Sequence, residues 1–125
     1  MPEALLAIAL GGAIGGAARH ALGELVQKLA RSDFPWGTLS VNFLGSLGIG
    51  LVAPDLLPEA PDGADSLPAL FILVGLFGSF TTVSTFSQQT LALFEAGHTR
   101  LALGNVLASI ALCVGGAGLG FALAS

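Results

Sequence analysis

Four long apolar stretches alternate with short polar breaks along this chain, and each stretch is close to the roughly 20 residues that cross a bilayer as a helix. The pattern predicts helices over about 4–29, 35–57, 67–94 and 101–124. The first run is apolar from Ala4 to Ala18, meets Arg19, and takes Glu24 and Lys28 in its last third, which leaves the hydrocarbon. The second is uncharged from Phe34 to Pro54 and opens beside Trp36, an aromatic suited to the membrane interface. The fourth is uncharged from Leu101 to Ser125. Arg31 to Pro35 and Glu95 to Arg100 read as tight turns. Asp55 to Ser66, with Glu59, Asp62 and Asp65 beside Pro58 and Pro61, reads as an aqueous linker.

The third run departs from a plain membrane helix. Ser66 to Phe94 carries no charge, yet residues 81 to 87 hold five hydroxyls: Thr81, Thr82, Ser84, Thr85 and Ser87. Gly75 and Gly78 loosen the helix just before them, and hydroxyls bond back to their own backbone and help bend it. These features predict a helix broken near 78–82, close to the midplane. Irregular backbone at that depth is tolerated only where protein or a water-filled cavity surrounds it. Channels and transporters place ions at such breaks.

Other polar residues stand out against the apolar background. Asn42 carries a carboxamide in the middle of the second run, where it needs a partner from another helix, from water or from a solute. Asn105 and Ser109 lie four apart and share a helix face. Gly11, Gly12, Gly15 and Gly16 make two overlapping GxxxG pairs, and Gly115, Gly116, Gly118 and Gly120 form a second cluster; both permit close helix packing.

Composition places the chain among membrane proteins: mean hydropathy is +0.86, 54% of residues are hydrophobic and 10% are charged. The length allows one domain, residues 1–125. The net charge of −4 and the scattered Lys and Arg argue against nucleic acid as a partner. The single cysteine, Cys113, reads as a small core residue. Met-Pro-Glu at the start lacks the basic region of a signal peptide, so the first run is expected to be retained. Lys28, Arg31 and Arg100 fall in the first and third turns, which places those turns in the cytoplasm and the termini outside for a chain inserted alone.

One broken helix among four encloses little of a pore, which argues for an oligomer. A hard cation such as sodium takes about six oxygens, more than the few carbonyls that one break exposes. A two-fold axis through the break doubles the supply. The hydroxyls, Asn42 and Ser109 offer uncharged donors, which suit an anion. Arg19 at a mouth raises the local anion concentration, and Phe86 can turn its positive ring edge toward a small anion.

Taken together, Gly-Gly-Ala-Ile-Gly-Gly-Ala-Ala-Arg19, Gly37-Thr-Leu-Ser-Val-Asn42-Phe-Leu-Gly45-Ser, the run Gly75 to Ser87, and Asn105 to Ser109 resemble the small fluoride-channel family, the Fluc or CrcB proteins. The likeness covers nearly the whole chain. It implies an all-α membrane protein that works as an antiparallel, dual-topology dimer in the cell inner (plasma) membrane. Two pathways per dimer would let fluoride out passively and lower its cytoplasmic concentration, around a structural sodium held by backbone carbonyls. By motif position, the carbonyls of Gly78 and Thr81 would hold the sodium. Asn42 and Arg19 take the polar and mouth positions, Ser84, Thr85 and Ser109 the polar track, and Phe86 one of the stacked phenylalanines.

The chain departs from that pattern in four places. Val83 stands where the motif has its first phenylalanine, His20 and Asn105 where tyrosine is usual, and Gln89 where glutamate is frequent. The lost ring, with the basic bias of two turns, admits a second reading as one subunit of a heterodimeric channel in fixed orientation. A small four-helix multidrug-type transporter would need a membrane carboxylate; apart from Asp55 at the very end of the second, segments two to four have none. An enzyme is disfavoured because the hydroxyls have no neighbouring base in sequence. A non-conducting structural membrane subunit is the remaining alternative.

Overall fold

The computed structural model describes residues 2–57 and 66–125 and is all-helical over them. Helix α1 runs Pro2–Ala30 and α2 Trp36–Leu56. The third segment is composite: α3 spans Leu67–Ala69, a π-helix Leu70–Phe77, α4 Gly78–Phe80 and α5 Ser84–Glu95. Helix α6 closes the chain over Thr99–Ala124. Four stretches are long and apolar enough to cross a membrane: Pro2–Ala30, Trp36–Leu56, Leu67–Glu95 and Thr99–Ala124. The expected linker begins later than Asp55, because α2 carries Pro54 and Asp55 within its last turn and ends at Leu56. Residues 58–65 of that linker lie outside the described residues.

The turns are built by local polar groups. Between α1 and α2, the Gln27 side chain donates from Nε2 to the carbonyls of Ser32, at 2.8 Å, and Phe34, at 3.0 Å. Its Oε1 accepts from the Gly37 amide at 3.0 Å. One glutamine thus satisfies three backbone groups that the turn would leave orphaned. Ser66 caps α3, its hydroxyl accepting from the Ala69 amide at 3.3 Å, with Pro68 in the first turn where its missing N–H costs nothing. Helix α5 ends in a Schellman pair, His98 N–H to Leu93 C=O at 2.8 Å and Gly97 N–H to Phe94 C=O at 3.1 Å. Gly97, at φ 85, supplies the left-handed residue that this cap requires.

Packing follows the glycines. Gly11 and Gly15 of α1 are buried against the π-helix, where a Cβ on Gly11 would overlap the Phe71 carbonyl oxygen and one on Gly15 that of Leu76. Of the two overlapping GxxxG pairs, Gly11/Gly15 is used inside the chain, while Gly16 has nothing within 4 Å. Helices α2 and α6 approach in the same way: a Cβ on Gly50 would overlap the Ala117 carbonyl, and one on Gly120 that of Leu47. The buried core is small: Leu39, Val41, Ala69, Leu93 and Ala102. Large apolar side chains such as Leu6, Ile14, Leu107 and Val114 instead cover the outside, as expected where lipid or another subunit is the solvent.

Candidate functional site

The helical ladder of the third segment stops at Thr81, which is extended at φ −86, ψ 158. Residues 81–83 are not helical, and α5 restarts at Ser84. Asn42, from α2, occupies this interruption with both ends of its carboxamide. Its Oδ1 accepts from the Thr82 amide at 2.7 Å and its Nδ2 donates to the Thr82 carbonyl at 2.9 Å. A single side chain thereby replaces two backbone bonds that the interruption removes. Asn42 Nδ2 has a second N–H, and that hydrogen is the one it can offer to a solute.

Thr82 is the hub of the hydroxyl cluster and is buried. Its Oγ1 accepts from the Thr85 amide at 3.1 Å, capping the first turn of α5. The same oxygen lies 3.2 Å from Thr85 Oγ1 and 3.3 Å from Ser84 Oγ. Thr81 Oγ1 donates back to the Phe77 carbonyl at 3.0 Å.

These bonds decide which carbonyls remain. In an unbroken α-helix the Gly78 carbonyl would accept from the Thr82 amide and the Thr81 carbonyl from the Thr85 amide. Both amides go to side chains instead, to Asn42 Oδ1 and to Thr82 Oγ1. The carbonyls of Gly78 and Thr81, which the motif match puts on a cation, thus lack their helical donors, and so do those of Ser79 and Phe80, to which the Val83 and Ser84 amides make no bond. No cluster of three or more His, Cys, Asp or Glu side chains that could hold a metal occurs among the described residues.

Two cavities share Thr82 in their linings. The outer one, of about 360 Å³, is lined by Arg19, His20, Glu24, Thr38, Thr85 and Gln89 together with Thr82. His20 Nε2 and Glu24 Oε1 stand 3.5 Å apart at its exposed rim. The inner one, also about 360 Å³, is lined by Asn42, Thr81, Thr82, Phe86, Ser109 and Cys113, with Val83 at its edge. Arg19, Thr85, Asn42, Phe86, Ser109 and Val83 thus line one cavity or the other. Ser84 lines neither and reaches the site through the Thr82 hydroxyl. Val83 is exposed and presents an aliphatic surface where a ring would stand.

Several groups here are not marked by residue type in the sequence. Gln89 lines the outer cavity and has a buried Oε1 with no hydrogen-bond partner among the described residues. Thr90 accepts from Asn105 Nδ2 at 2.9 Å and donates to the Phe86 carbonyl at 2.7 Å. Thr82 stands out only as one of five hydroxyls beside the break, and the one signal available for Thr90 is its spacing, four residues after Phe86 on α5.

Comparison with known proteins places the sequence among named relatives. The profile of the family described as CrcB-like protein, Camphor Resistance (CrcB), matches residues 6–121. A protein of Magnetococcus marinus named fluoride-specific ion channel FluC is 49% identical over 113 residues, covering 90% of this chain and 90% of its own. Relatives of the same name in Ruminiclostridium cellulolyticum and Coxiella burnetii are 42% and 44% identical, covering 96% and 93% of this chain and 91% and 93% of their own. These names describe ion channels and not enzymes. A profile match over residues 6–121 and relatives 42–49% identical over at least 90% of its length place this chain, with its four membrane-length helices, in the CrcB family.

Proposed function

We propose that this protein is a passive fluoride-selective ion channel that exports fluoride and lowers its cytoplasmic concentration. The observation that carries the proposal is the pair of cavities that have Thr82 as a common lining residue. Arg19 lines the first cavity beside Glu24, and the second is lined by uncharged donors and a phenylalanine, with no acidic side chain in its lining among the described residues. Such a track favours a small anion: N–H and O–H groups and a ring edge can replace part of its hydration shell, while the low dielectric strengthens each contact.

The same reading has two copies pack antiparallel across the membrane, each contributing a pathway. Gly78 and Thr81 would meet their counterparts on the two-fold axis, and four carbonyls from two chains approach the oxygen count that a sodium ion takes. The ion would be structural, neutralising carbonyl dipoles that one chain leaves without donors. The multi-pass chain would lie in the cell inner membrane.

The deciding experiment is anion release from liposomes carrying the purified protein. Fluoride should leave rapidly and chloride should not, and replacing sodium by a bulky organic cation on both sides should abolish the flux. Equal leakage of both anions would overturn the channel assignment; fluoride flux indifferent to sodium would remove the structural ion.

A second reading, in which the chain is one half of a heterodimeric channel, is favoured by Val83. That side chain faces the inner cavity and offers no ring edge, so a partner with the missing phenylalanine would complete the lining. Co-expression with such a partner should raise fluoride flux above that of the single chain.

A further inference from the structure

Helix α5 carries Phe86, yet only one of its residues, Leu93, is buried in the core. Apolar packing within the chain therefore fixes little of its rotation, and polar ties to other helices must do so. Two are present, placed symmetrically about Phe86. Four residues before it, Thr82 is held through its backbone by Asn42 of α2. Four residues after it, Thr90 is held by Asn105 of α6, whose Nδ2 donates to Thr90 Oγ1 at 2.9 Å.

Asn105 is 1% exposed and, with Val41, is one of the two largest fully buried side chains. A carboxamide sealed inside an apolar helix persists only where its groups are satisfied. Its nitrogen donates one hydrogen to Thr90, and its oxygen accepts from Ser109 Oγ at 3.4 Å. Thr90 in turn donates to the carbonyl of Phe86 at 2.7 Å. The chain of bonds thus runs from one residue lining the inner cavity, Ser109, through Asn105 and Thr90, to the backbone of another, Phe86.

We propose that Asn105, acting through Thr90, is a positioning residue for the Phe86 ring and so sets which anion the inner cavity accepts. This rests on the fluoride-channel reading above. A bond that merely glues two helices would, when lost, reduce the amount of folded protein. A bond that aims a ring changes the discrimination of each folded channel.

The test uses the full chain in proteoliposomes and reads initial fluoride and chloride release. Thr90→Val keeps the side-chain shape and removes the hydroxyl. It should lower the fluoride-over-chloride ratio about fivefold to tenfold, the effect expected for losing one buried hydrogen bond. Thr90→Ser restores the hydroxyl and should hold the ratio within about twofold of the wild type. Asn105→Leu should lower the ratio at least as far as Thr90→Val, and the double variant no further than Asn105→Leu alone, because both break one chain of bonds. A folded Thr90→Val protein with an unchanged ratio overturns the inference. So does a Thr90→Val chain that cannot be recovered folded when Thr90→Ser can, since the bond then holds the fold together and aims nothing. Wild-type vesicles that release no fluoride overturn the channel reading and this inference with it, whereas fluoride release with an unmoved ratio strikes this inference alone.

Discussion

Asn42 shows what one side chain can do where a helix stops. Its carboxamide was conspicuous in the sequence as a polar group in an uncharged run. Its partner was not, because Thr82 lies 40 residues away and is one hydroxyl among five. Only the packing of α2 against the interruption selects Thr82, and it selects the backbone of Thr82, not its side chain. Asn42→Ala would leave the part-buried amide and carbonyl of Thr82 without their partner, at up to about 1–3 kcal/mol for each group. The expected result is an apparent melting temperature, followed by Trp36 fluorescence, that falls clearly below the wild type, together with at least a tenfold loss of fluoride release. Normal melting with lost flux would instead make Asn42 a pure anion ligand. Thr82 gives a complementary prediction. Thr82→Ser keeps the oxygen that caps α5 and touches Ser84 and Thr85, and should conduct. Thr82→Val keeps the volume and loses the cap, which costs about 1 kcal/mol, and it removes the one hydroxyl common to both cavities. Its stability should fall modestly and its flux severely.

At the scale of elements, the four apolar runs were legible because a bilayer imposes a length and a composition that few soluble helices meet. The helix ends follow them closely, α1 over Pro2–Ala30 against 4–29 and α6 over Thr99–Ala124 against 101–124. The π-helix Leu70–Phe77 was not legible. Gly75 is its one punctuation mark and signals a close approach, not a winding, while the other side chains suit α and π winding equally. What lies against it is the bare backbone of α1 at Gly11 and Gly15, and that contact is formed between residues some 60 apart. The glycine pattern announced a close approach without naming the face or the partner. Gly15→Val would push a branched side chain into the Leu76 carbonyl. Overpacking of this kind costs about 1–3 kcal/mol where the surroundings can yield, and two backbones cannot yield far. The variant should melt well below the wild type or fail to yield folded protein. Gly104→Ala, by contrast, would place its methyl at ordinary contact distance, 4.0 Å from the Phe34 ring. It relieves the entropy cost of a mid-helix glycine and should leave melting unchanged or raise it, by about 0.5–1 kcal/mol at most. Melting temperatures of the two variants measured side by side check both.

For the whole molecule, the charges bear on how copies assemble. Lys28, Arg31 and Arg100 sit at one end of the helix bundle, beside the turns after α1 and α5, while the start of α1 and the end of α6 at the other end carry no Lys or Arg. Three basic residues form a weak bias under the positive-inside rule, which counts Lys and Arg near membrane ends. In an antiparallel pair the bias cancels, since each membrane face then presents the same groups from one subunit or the other. A homodimer of this kind needs the chain to insert in both orientations. A subunit of a heterodimer needs it to insert in one. With Cys113→Ser as background, a single cysteine at Ser32, in the exposed turn between α1 and α2, reports orientation in intact cells through a thiol reagent that cannot cross the membrane. The dual-topology homodimer predicts that about half of the chains are labelled from outside and the remainder only after permeabilisation, as two-fold symmetry requires. Labelling of nearly all chains from one side alone would fix a single orientation and transfer the support of Val83 to the paired-subunit reading. In that outcome the missing ring opposite Phe86 would have to come from a different polypeptide inserted the other way.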